Sequence, residues 1–152
     1  MKNPFRFWMT SGIAIMVAAV SGGRSFAGED RLTLTRVSRY GVSETVQRIE
    51  ASAQRHGMHV LACLPQKLDA LTGESHYMIV LESSQGGTPV QMETPDAQPD
   101  MLLSVFLRRG HEGGTEVFLH RGALGDLPEG LSAQVQLDLA DLPAVLDEAL
   151  AA

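Results

Sequence analysis

The chain has 152 residues, with 12 basic against 18 acidic side chains, a formal net charge of −6 and one cysteine. That length supports one domain with one core. The acidity argues against phosphate backbones and anionic lipid surfaces as partners, and a single cysteine excludes an internal disulfide.

The N-terminus reads as an export signal. Lys2 and Arg6 form a short basic region, Ile13 to Val20 forms an apolar core, and Ser21, Gly22 and Gly23 end it. Ser25-Phe26-Ala27 then sets small side chains where a signal peptidase reads them, so cleavage is expected after Ala27. The apolar core is much shorter than the roughly 20 residues a membrane span needs, so no stable membrane anchor is expected after cleavage. The expected mature domain is 28–152, and its expected location is the periplasm. Losing Lys2, Arg6 and Arg24 leaves 9 basic against 18 acidic side chains, a net charge of −9.

In chain order, Leu32–Arg39 alternates loosely and is rich in Thr and Val, which predicts a strand. Tyr40-Gly41 breaks it. Ser43 is placed to cap a helix with Glu44 in its first turn. Val46, Ile49 and Ala53 lie on one helical face, and Gly57 ends the helix in the position after its cap. A second strand is expected over Met58–Leu64, stopped by Pro65. Residues 65–75 read as a loop with a turn of helix at Lys67–Leu71. A third strand is expected from Tyr77 to Glu82, followed by a turn-rich segment, 83–99. Strands over Met101–Arg109 and Thr115–Arg121 flank a Gly-rich hairpin at Gly110–Gly114. The last helix is expected to start at Asp141 with Pro143 in its first turn. Leu142, Val145, Leu146, Ala149 and Leu150 form its apolar face. The order β-α-β4-α predicts an α+β domain: an antiparallel sheet with both helices on one face.

Three stretches carry a family resemblance: Val42-Ser43-Glu44-Thr45-Val46-Gln47-Arg48-Ile49-Glu50 with the helix end Gly57-Met58-His59-Val60; Gly87-Thr88-Pro89-Val90-Gln91-Met92-Glu93-Thr94-Pro95; and the late strand pair before the C-terminal helix. Over about residues 32–150 the chain resembles the domain of unknown function 302 family, as an exported member. Where the family often has Phe-Gly-Asn-Pro, this chain reads Leu81-Glu82-Ser83-Ser84-Gln85. The resemblance implies a sheet like that of the TATA-binding-protein fold and often a homodimer. It implies no established activity. No cofactor is expected.

The residues themselves offer no HExxH, no Gly-x-Ser-x-Gly, no phosphate-cradling Gly-Lys-Ser/Thr loop and no Cys-x-x-Cys. The carboxylates Glu82, Glu93 and Asp96 have no acid/base spacing, so catalysis is the weakest reading. A copper- or redox-linked role would use Cys63 with His59 or His120. His59 and Cys63 fall on one face of a regular strand but roughly 13 Å apart at ~3.3 Å per residue. The plainer expectation for Cys63 is a buried small apolar side chain; an intermolecular disulfide is another. The leading reading is a contact surface. With helices on one face only, the other face is expected to show Leu61, Cys63, Leu102, Phe106 and Phe118, with His120 at its end. Either that face is open for a partner or a second copy, or the 83–99 segment folds over it.

Overall fold

The computed structural model describes residues 32–66, 76–92, 94–96, 99–125, 127 and 129–151. The expected signal segment and the helical turn expected at Lys67–Leu71 lie outside the described residues. The elements are β1 (Leu32–Ser38), α1 (Val42–Arg55), β2 (His59–Gln66), β3 (His76–Glu82), β4 (Val90–Gln91), β5 (Asp100–Met101), β6 (Ser104–Arg109), β7 (Thr115–His120) and α2 (Ala133–Leu150). A 3-10 turn over Arg121–Leu124 follows β7. Among the described residues no helix is long and apolar enough to cross a membrane.

Helix α1 buries Thr45, Ile49, Ser52 and Ala53, a single stripe at helical spacing. Its start differs by two residues from the expectation: Gly41 is the cap and Ser43 lies inside the first turn. Its end is as expected. Gly57 takes φ 79°, its N–H donates to Gln54 O at 3.1 Å, and the Met58 N–H reaches back to Ala53 O at 3.0 Å. This paired closure satisfies carbonyls the helix leaves open and drives Met58, fully buried, into the core.

The main sheet is antiparallel in the order β1-β7-β6-β3-β2. Because side chains alternate across a strand, Ile79 and Leu81, Val105 and Leu107, and Val117 and Leu119 share one face. They pack with Ile49 and Ala53 of α1 and Leu139, Leu142, Val145, Leu146 and Ala149 of α2 in one core. Both helices therefore sit on that face. The Ser52 hydroxyl, buried between them, donates to Val145 O at 2.9 Å.

Four expectations are corrected. Helix α2 starts eight residues before Asp141, at Ala133, where the Ser132 side chain accepts the Val135 N–H. Pro143 is thus inside the helix; it removes the backbone bond to Leu139 O while Leu139, Leu142, Val145 and Leu146 stay fully buried. Strand β2 runs through Pro65 rather than stopping there, as an edge strand allows because one side needs no ladder donor. The strand expected over 101–109 is broken by a bend at Leu102–Leu103. Its first part, β5, pairs with β4 in a separate two-stranded sheet. Finally, the ladder shifts by one residue between Val60 and Ala62 and again between Leu34 and Arg36. Such bulges blunt both edge strands.

Candidate functional site

The face without helices carries rows of side chains set by the register. Leu64, Met78, Phe106 and Phe118 are successive Cα partners across β2, β3, β6 and β7. Leu64 is exposed, and Met78, Phe106 and Phe118 are half-buried. The next row is Gln66, His76, Arg108 and Glu116, with the exposed Val37 beyond. Arg108 Nε donates to Glu116 Oε2 at 2.8 Å, and its guanidinium lies 5.1 Å from the centre of the Phe118 ring. This pair neutralises itself on the face and lays its charge across an aromatic ring.

The opposite end of this face is covered. Val80 and Ser104 are buried although they project to the side away from the helices. The Ser104 hydroxyl donates to Met101 O at 2.6 Å. The Leu102 N–H donates to Pro89 O at 3.2 Å, and Leu81 N–H to Leu103 O at 2.8 Å. The segment between β3 and β6 is therefore seated over the Val80 end, and the Met78–Phe106–Phe118 stripe stays uncovered among the described residues.

His120 fastens this seat. It is 5 % exposed, its Nδ1 accepts the Gly122 N–H at 3.0 Å, and its Nε2 meets Asp100 Oδ2 at 2.9 Å. An acceptor at Nδ1 and a carboxylate at Nε2 require the neutral tautomer with its proton on Nε2. Both nitrogens are used, so no lone pair is left for a metal.

A second anchor holds the turn after β3. The Asp138 carboxylate on α2, 6 % exposed, accepts from the Ser83 hydroxyl at 2.6 Å, the Ser84 hydroxyl at 3.0 Å, the Ser84 N–H at 3.1 Å and Gln134 Nε2 at 3.0 Å. Burial pushes its pKa up, but the bonds from Ser83, Gln134 and Ser84 outweigh that and hold it below the ordinary carboxylate range. Glu82 Oε1 accepts the Gly87 N–H at 3.0 Å, which spends this carboxylate on the turn. On the other side, His56 caps the end of α1 and bridges to α2, with Nδ1 at 2.6 Å from Asp141 and Nε2 at 2.8 Å from Glu148. Bonds to Asp141 and then Glu148 raise its pKa, and Arg55 also pairs with Glu148.

The sequence-based candidates are only partly brought together. Phe106 and Phe118 are direct Cα partners. Leu61, 55 % exposed, sits at the β2 bulge on the sheet edge. Leu102 does not belong to the open face: the bend before β6 turns it into the core, where it is 1 % exposed. Cys63 does not either. The extra residue at the bulge sets it opposite Ile79 of the core layer, on the helix side, while His59 opposite Glu82 points the other way. The two therefore diverge and cannot share a metal ion. Nor is Cys63 buried; it is free and exposed, and its thiol is pushed up by partial burial and by the nearby Glu50. Among the described residues no three His, Cys, Asp or Glu side chains converge to hold a metal. Glu93 lies outside the described residues. The Arg108–Glu116 pair and the Asp138 anchor were not singled out from the sequence, and Met78 was weighed there only with His76 as a metal-ligand pair, not as part of the open face. The alternation of β3 could have placed Met78. Little local marks Asp138: Gln134 is one helical turn away, but Ser83 and Ser84 lie more than fifty positions away.

The helix-bearing face also has a cleft of about 720 Å³ where α1 begins, lined by Val42, Ser43, Glu44, Val46 and Gln47 of α1 with Gly41, and by Cys63, Tyr77 and Arg109 of the sheet.

No family model matches the chain, and no curated protein matches it. Among solved structures it is similar to an uncharacterized conserved protein of the DUF302 group from Bacillus stearothermophilus, at 13 % identity and a TM-score of 0.48. The match spans 79 % of this chain and 95 % of that one.

Proposed function

We propose that the chain is an exported domain of the domain of unknown function 302 type, and that it acts by association rather than catalysis, forming a homodimer through its open sheet face. The observation that carries this is the uncovered stripe Leu64–Met78–Phe106–Phe118, apolar across four adjacent strands. A contiguous exposed apolar patch of this kind marks a contact surface. Charge favours a second copy there. Two copies of an acidic chain repel, yet the charged pair on this face, Arg108 with Glu116, is self-neutralised and offers both signs to a two-fold partner. The β-α-β4-α succession of the main sheet, with both helices on one face, supports the relation to the TATA-binding-protein fold. Ser25-Phe26-Ala27 supports export to the periplasm with cleavage after Ala27.

The open face spans on the order of 400 Å², from strands ~4.8 Å apart and ~3.3 Å per residue. Stable interfaces use about 800 Å² per partner, so the dimer is expected to be reversible. Sedimentation velocity across a concentration series tests this. The expected result is concentration-dependent dimer, abolished by Phe118→Asp with an unchanged circular dichroism spectrum. A chain that stays monomeric up to about 1 mM, where even a weak contact of about −4 kcal/mol would populate dimer, refutes it. N-terminal sequencing of protein recovered from the periplasm tests the cleavage site.

A further inference from the structure

The cleft beside α1 is separate from the open face, since it lies on the helix side of the sheet. Its floor is built by three neighbouring strands that bring Cys63, Tyr77 and Arg109 to one surface, and its wall is the first part of α1. We propose that this cleft binds a small organic monocarboxylate with an apolar body.

Three observations lead there. The volume, about 720 Å³, lies in the range of small-molecule sites. The cation in the lining, Arg109, has no carboxylate partner among the described residues. Its neighbour Arg108 is paired with Glu116, and Arg36, Arg48 and Arg55 each hold an acid. Arg39, bonded to the Tyr40 hydroxyl, and Arg121 likewise show no acid among the described residues, but neither lines the cleft; the fork of Arg109 matches a carboxylate. The acidic side chain in the lining, Glu44, is already held by Arg48 at 3.2 Å. The rest of the lining sets the body of the ligand. Val42, Val46, Cys63 and the Tyr77 ring are apolar, while Ser43 and Gln47 bring neutral polar groups. One cation in the lining, within a chain of net charge −6, favours a monoanion over a phosphate or a dicarboxylate.

The test is a titration of the 15N-labelled protein with benzoate, a carboxylate on an apolar ring, against benzamide, its neutral analogue, followed by amide chemical shifts. The expected result is saturable movement of the Ser43, Gln47, Tyr77 and Arg109 signals with benzoate, while Phe106 and Phe118 stay still. Arg109→Gln is expected to weaken benzoate about tenfold or more, as losing a charged hydrogen-bond partner does. Arg109→Lys, which keeps the charge without the fork, falls between. Arg109 is exposed at a strand end, and an unchanged melting temperature shows that each variant is folded. The proposal is overturned by any of three results: no saturable shift up to about 10 mM benzoate, a floor of useful affinity; equal binding of benzamide; or benzoate binding untouched by Arg109→Gln. Because the open face is read by other signals, failure here leaves the dimer reading standing, and the reverse holds too.

Discussion

Replacing Asp138 by Ala is the sharpest test of how the segment after β3 is held. The carboxylate accepts from Ser83, Ser84 and Gln134 side chains and from the Ser84 N–H. Ser84 is exposed and Gln134 half-buried, so water replaces much of what they lose. Ser83 is buried, and its hydroxyl would be left without its carboxylate. A hydrogen bond to a charged group is worth about 1.5–3 kcal/mol, and a stranded buried donor adds to the loss. Removing the charge also relieves the desolvation that burial imposes on it, so the net expectation is a loss of about 2–3 kcal/mol. For a domain of this size that is a fall in Tm of roughly 10 °C. Asp138→Asn keeps the shape and one acceptor, and is expected to lose about half as much. The pH dependence gives an independent sign. The folded pKa of Asp138 is lowered from 3.8, so its stabilisation is complete above that value and is lost as pH falls through the folded pKa. Urea melts of both proteins at pH 7 and at about pH 3 should show the gap closing in acid. A gap under about 0.5 kcal/mol at pH 7, the scale of an ordinary surface change, or one that does not narrow in acid, refutes the reasoning.

Other expected outcomes follow from the same geometry. His56 has a raised pKa, so its support of the α1–α2 contact is complete below about pH 6.5 and fades as pH rises through the folded value; the Tm difference between the native chain and His56→Gln should therefore be larger at pH 6 than at about pH 9, and an equal or growing difference contradicts the bridge. A Cβ at Gly114 would press into the Ser38 carbonyl oxygen, so Gly114→Ala should lose about 1–3 kcal/mol in urea melts, whereas Gly41→Ala, with open space at its Cβ, should change stability far less. Cys63 is exposed but its thiol pKa is raised; it should react fully with Ellman's reagent without denaturant, and faster as pH rises. Reaction only after unfolding would restore the buried reading. In His120, 15N shifts should report a proton on Nε2 and none on Nδ1 at pH 7; the opposite tautomer would contradict the link to Asp100 and Gly122.

The elements most legible in the sequence are those governed by local chemistry. The Gly57 closure, the β6–β7 hairpin and the apolar stripe of α2 each depend on residues within a turn or two, and the strand count of the main sheet followed from alternation. The start of α2 was hidden because Gly125 and Gly130 punctuate the residues before it, and because Pro143 is a strong signal for a first turn. Buried Leu139 and Leu142, facing α1 and the sheet, supply the packing that carries a proline inside the helix.

The open face was legible as a surface but not residue by residue, and the reason is parity. Side chains alternate with period two, so one extra residue reverses every assignment after it. The shift between Val60 and Ala62 moved Cys63 to the helix side and separated it from His59, while the bend at Leu102–Leu103 turned Leu102 into the core. Neither irregularity carries a glycine or a proline, so nothing in those residues announces it. Phe106 and Phe118 kept their predicted face because β6 and β7 pair without a shift from Val105 to Arg109. The same rule decides which chemistry the fold can assemble. A regular β2 would set Cys63 beside the Met78–Phe106–Phe118 stripe, at a two-fold contact where a disulfide between copies could form. The bulge places it in the cleft with Tyr77 and Arg109 instead. The dimer proposed for the open face is therefore expected to need no covalent link, and Cys63→Ser should leave its sedimentation unchanged while altering benzoate shifts at Tyr77.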